Sequence, residues 1–181
     1  MTSEKMQTKC ITPAAVLRTL ILLAVVAAFA GPAAWAQDQL GGHIGFVLPV
    51  VTHAGGQTTD LGDNFSIGFP VGITVKGTGK VAFDLEFVPL IQDQPRHVSL
   101  TVHPGIIYSL GRNWAVGTRL AFDVNSSQFG FTPLLNKSFP IENSFIKAYF
   151  VEADLPVRFN RPVGGPSTNP VTFALHFGVG F

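Results

Sequence analysis

In His97-Val98-Ser99 an imidazole and a hydroxyl stand two residues apart, so any extended backbone puts both on one face. That is the pairing an activated serine needs, with the imidazole as base; the competing role is a pair of polar groups lining an interior. Asp84 with Glu86 and Glu152 with Asp154 have the same spacing. Paired carboxylates do acid–base work when their surroundings separate their proton affinities. Enclosed beside Lys76, Arg119 and Arg158, they form ion pairs instead. The expected set is a charge network of Lys76, Asp84, Glu86, Arg119, Asp123, Glu152, Asp154 and Arg158, with His97 and Ser99 as polar lining. His43, His97, His103 and His176 share the parity of these charges, but no His-x-His spacing is present, so no metal and no cofactor is expected. Gly55-Gly56 and Gly164-Gly165 match no phosphate-binding pattern.

The elements that position these groups alternate with period two. In the final segment Val171, Phe173, Leu175, Phe177, Val179 and Phe181 take one face, and Thr172, Ala174, His176, Gly178 and Gly180 the other. Phe65 to Lys76 alternates as cleanly, and Gly42 to Val51, Val81 to Val88, His97 to Tyr108, Trp114 to Val124 and Tyr149 to Phe159 follow the same rule. Gly77-Thr78-Gly79 and Leu110 to Asn113 read as tight reversals, and 92–96 and 161–169 as loops. Phe129 to Leu135 alternates weakly, and the pattern is lost from Asn136 to Ser144. No helical period appears after the first 36 residues.

The charges within strands fall opposite the large apolar residues. A phenylalanine-rich parity would overfill the inside of a small barrel, whereas the charged parity also carries many glycines and alanines. The expected packing is therefore inside out: apolar residues toward lipid and charges toward a lumen. Tyr108, Trp114, Tyr149 and Phe181 then fall near one rim, as interfacial aromatics do. Pro49, Pro70, Pro89, Pro104, Pro133 and Pro156 oppose this reading, because a closed barrel has no edge on which to leave a missing donor.

Lys5, Lys9 and Arg18 precede an apolar run from Thr19 to Ala30, and Gly31-Pro32-Ala33-Ala34-Trp35-Ala36 supplies small residues for cleavage. This reads as a secretory signal peptide, 1–36, followed by one domain, 37–181. Removing it takes the formal charge from +1 to −1 and discards Cys10, the sequence's only cysteine. The remaining chain has no internal disulfide and no basic field for nucleic acid.

With its alternating last strand and terminal Phe181, the chain resembles the small outer-membrane β-barrel proteins. The resemblance implies an all-β, transmembrane, up-and-down antiparallel barrel of eight strands, porin-like in build, in the outer membrane of a Gram-negative bacterium. It also implies outer-membrane lipid and the barrel-assembly machinery as partners, the latter reading the terminal strand. The even strand count of such barrels requires Phe129 to Leu135 to be a strand. His97 and Ser99 resemble the His-x-Ser pair of the lipid A deacylases, but Leu100 stands where that family has a polar residue, and both groups point to the lumen. The expectation is a non-enzymatic barrel with a plugged polar lumen, a structural or surface role and an undefined extracellular loop ligand. The alternatives are a lipid A deacylase-like enzyme and a narrow channel for small solutes.

Overall fold

Alternation of apolar with small or polar residues produces strands throughout the computed structural model, which describes residues 40–181 apart from 94, 125, 143 and 161–167. The expected signal peptide and Cys10 lie outside the described residues, as does most of the loop before the last strand. The strands are β1 (Leu40–Ala54), β2 (Gln57–Asp60), β3 (Ser66–Gly68), β4 (Val71–Lys76), β5 (Val81–Asp93), β6 (Arg96–Gly111), β7 (Trp114–Asp123), β8 (Phe129–Pro140), β9 (Ala148–Asp154), β10 (Val157–Phe159) and β11 (Val171–Gly180). β2, β3 and β4 make one interrupted crossing and β9 with β10 another, giving a closed antiparallel barrel of eight crossings.

Closure lies between the first and last strands. β1 pairs with β11 from His43 opposite Gly180 to His53 opposite Val171. The Gly42 and Phe181 backbones then exchange two hydrogen bonds, each 2.9 Å. Phe181 thus completes the ladder, and its ring stacks on Phe145 at 5.5 Å.

The distribution of apolar residues is inverted relative to a water-soluble core. Among the described residues the buried hydrophobics are Val88, Ala121, Leu134, Phe150 and Ala174, whereas eleven polar or charged residues are buried. Phe46, Phe69, Phe87, Leu120, Phe122 and Phe173 are exposed on the outer face. An outer face of this kind is apolar far beyond the patches a soluble monomer leaves in water.

The prolines are accommodated through their carbonyls. Pro70 and Pro156 occupy the gaps between β3 and β4 and between β9 and β10, where no ladder donor is required. Their carbonyls accept from Gly45 and Thr172 at 3.0 and 2.9 Å. On the facing strands, Pro89 and Pro133 accept from Phe69 and Leu155, both at 2.9 Å. Pro49 stands at a register shift of β1 against β11, as a bulge allows.

The structure departs from the sequence expectation in four places. The expected strand Tyr149 to Phe159 is broken at Leu155-Pro156. The segment from Phe65 to Lys76 is broken at Phe69-Pro70, because a proline cannot donate to the ladder. β1 runs on past the expected end at Val51 to Ala54, and β5 and β6 run into the expected 92–96 loop, to Asp93 and from Arg96. β8 continues to Pro140 rather than ending at Leu135. Lys137 interrupts its outward apolar series, but it lies near the rim, with Nζ 2.8 Å from the Arg112 carbonyl and 5.0 Å from the Trp114 ring centre.

Candidate functional site

The inward residues converge on Arg119, which is 4 % exposed on β7. Its Nε donates to Asp84 Oδ2 on β5 at 2.7 Å, its Nη1 donates to Glu152 Oε1 on β9, and its Nη2 lies 3.6 Å from Glu86 Oε2. One guanidinium therefore joins three strands, as its planar fork of donors permits.

The other crossings attach to this centre through neutral or ionisable partners. Thr74 on β4 donates to Asp84 at 2.7 Å. His43 on β1 and His103 on β6 approach the two oxygens of Glu86 at 3.1 and 3.3 Å. Asn136 on β8 donates to Glu152 Oε2 at 3.0 Å, and His176 on β11 lies 3.4 Å from Glu152 Oε1. All eight crossings thus contribute a side chain to one network. Arg158 on β10 donates to His103 Nε2 at 3.1 Å and to Thr132 at 3.2 Å. Because Nε2 accepts there, the His103 proton must be on Nδ1, directed at Glu86.

Glycines make these reaches feasible. Gly105 on β6 pairs with Asp84 on one side and Arg119 on the other, so the guanidinium crosses a position without a side chain. Gly72 has the same place between His43 and Glu86. A Cβ on Gly105 would lie 2.6 Å from Arg119 Cγ, and one on Gly72 would overlap the His43 ring.

No protein-family model matches the sequence, and no curated protein matches it either. The outer membrane protein OprG from Pseudomonas aeruginosa, known from a crystal structure, is 12 % identical over 79 % of this chain and 96 % of the OprG chain, with a TM-score of 0.39. The fold rests on this chain's own strand pairing, which closes between Gly42 and Phe181.

Of the residues singled out by sequence, Asp84, Glu86, Arg119, Glu152 and Asp154 are brought together in the interior. Asp123 stands apart from them, accepting from Thr101 at 2.6 Å, and Arg158 joins through His103. Lys76 is not brought in: it is exposed at the end of β4. Nor do His97 and Ser99 form a pair. His97 is exposed and Ser99 half-buried near the Asp93–Arg96 end, and no hydrogen bond joins them. Tyr108, Trp114, Tyr149 and Phe181 are exposed near the opposite end, where Lys80 lies 5.9 Å from the Tyr108 ring centre. Sequence reasoning missed the roles of Thr74, Thr132 and Asn136; inward parity was the available signal for the first two, whereas Asn136 lies where the alternation is lost.

Proposed function

We propose that this chain is an integral barrel of a bacterial outer membrane, with a lumen plugged by its own side chains and a structural or surface-interaction role. The observation that carries the reading is the inversion of polarity: buried Arg119, Asp84, Glu86 and Glu152 inside, exposed phenylalanines and leucines outside. A face of this composition is stable only against lipid, and a closed barrel satisfies every strand edge there. The Arg119 network supports a plugged lumen, since its side chains reach across the narrow interior an eight-stranded barrel encloses.

Lipid and, during insertion, the barrel-assembly machinery are the partners on this reading, and no catalytic role is assigned to His97 or Ser99. The test is reconstitution into planar bilayers of protein purified from outer-membrane fractions. No steady conductance is expected; reproducible open channels would overturn the plugged lumen, and recovery of the protein in the soluble fraction would overturn the membrane assignment.

A further inference from the structure

We propose that Glu152, Asp154 and His176 form a binding site for one first-row transition-metal dication inside the barrel. The ligands come from two strands whose register alone brings them together: His176 pairs with Glu152, and Ala174 with Asp154. One ligand atom from each residue lies within 4.8 Å of the others. His176 Nδ1 is 3.4 Å from Glu152 Oε1 and 4.0 Å from Asp154 Oδ2. Ligands held at metal–nitrogen and metal–oxygen distances of about 2.1 Å in a tetrahedron stand roughly 3.4 Å apart, so little movement is needed to enclose an ion.

A second observation points to a missing positive partner. Asp154 is 5 % exposed, and its Oδ1 is buried without a hydrogen-bond partner. A buried carboxylate oxygen left without a donor is costly, and a cation answers it. Charge agrees: Asp84, Glu86, Glu152 and Asp154 are all buried, against one buried guanidinium, Arg119, among the described residues. The cluster of His43, Asp84 and Glu86 is also close enough for a metal, but its oxygens are engaged by Thr74, Arg119, His43 and His103. In the proposed site Glu152 is engaged likewise, but Asp154 Oδ1 has no hydrogen-bond partner. Arg119 and Asn136 hold the Glu152 carboxylate in place, the part that outer partners take in metal sites. One imidazole with two carboxylates suits Zn2+ or its neighbours better than Mg2+ or Ca2+, which take oxygen ligands.

The test uses the full-length protein exported to the outer membrane, purified in detergent, stripped with chelator and titrated with Zn2+. About one equivalent per chain is expected, with affinity falling at least roughly tenfold in Asp154→Asn and in His176→Gln and unchanged in His43→Gln. Folding of each variant is checked by its heat-dependent gel mobility. Should Asp154→Asn fail to fold, Cu2+ loaded on the wild type gives an independent reading: its electron paramagnetic resonance spectrum should show coupling to one imidazole nitrogen. Absence of Zn2+ binding, which would mean that protons alone neutralise the carboxylates, overturns the proposal. So does equal loss of binding in His43→Gln, or a Cu2+ spectrum with two nitrogens or none.

Discussion

Arg119 and Asp84 stand on strands that do not pair, β7 and β5, yet Nε and Oδ2 meet at 2.7 Å over Gly105 of the strand between them. The ion pair thus depends on the absence of a side chain at a third position. Gly105→Ala places a methyl group 2.6 Å from Arg119 Cγ and 2.7 Å from the Thr118 carbonyl. The expected cost is about 1 to 3 kcal/mol, as for overpacking elsewhere, measured as a lower urea midpoint of the barrel folded in lipid. An unchanged midpoint would mean that Arg119 does not need this path.

Arg119→Met leaves Asp84 and Glu152 buried without their strongest partner. A loss of about 3 to 5 kcal/mol is expected from breaking such a pair on one side only. Arg119→Lys should recover little of it, because an ammonium cannot reproduce the fork that reaches both carboxylates. Adding Glu152→Gln to Arg119→Met should restore part of the loss, since one unpaired charge is then removed. Additive losses in the double variant would contradict the pairing.

Ser99→Ala is expected to alter neither the amount of folded barrel nor the acylation of lipid A in cells overproducing it, because Ser99 has no hydrogen bond to His97. Mass spectrometry of lipid A decides this. An acyl chain removed by the wild type and retained with Ser99→Ala would establish the enzyme.

Much of the fold was legible because alternation is local. The inward parity of Asp84 and Glu86 follows from Phe83, Leu85 and Phe87 beside them, that of Arg119 from Val116, Leu120 and Phe122 on the opposite parity, and that of Glu152 from Tyr149, Val151 and Leu155. Even β8 was required by strand parity where its own pattern failed, since Lys137 at the rim breaks the apolar series. What could not be read was height. Lys76 and Asp84 share a parity, but Lys76 ends its strand in solvent whereas Asp84 lies mid-lumen, and only register distinguishes them. The same is true of His97 and His103, six residues apart on β6, of which only His103 reaches Glu86. The bridging of Gly105 and Gly72 also needs register, because a glycine matters there only for what lies on both sides of it.

The hairpin turn at Gly55 and Gly56 and the reversal at Thr78 lie at opposite ends of the barrel. On the proposed outer-membrane reading both chain ends are periplasmic, which puts Gln57 on the exterior of the cell and Thr78 in the periplasm. Gln57→Cys and Thr78→Cys, each in a Cys10→Ser background, can be probed on intact cells with a membrane-impermeant thiol reagent. Labelling at 57 and not at 78 is expected; the reverse would invert the topology.

The central claim is that the apolar face meets lipid, and Leu120 tests it most directly because it adjoins Arg119 and is 52 % exposed on the opposite side of β7. Tryptophan fluorescence is measured for Leu120→Trp in a Trp35→Phe, Trp114→Phe background, in membranes containing brominated lipid and separately with aqueous iodide. The account predicts strong quenching by brominated lipid and almost none by iodide. Quenching by iodide without quenching by lipid would place Leu120 in water and contradict the inside-out barrel.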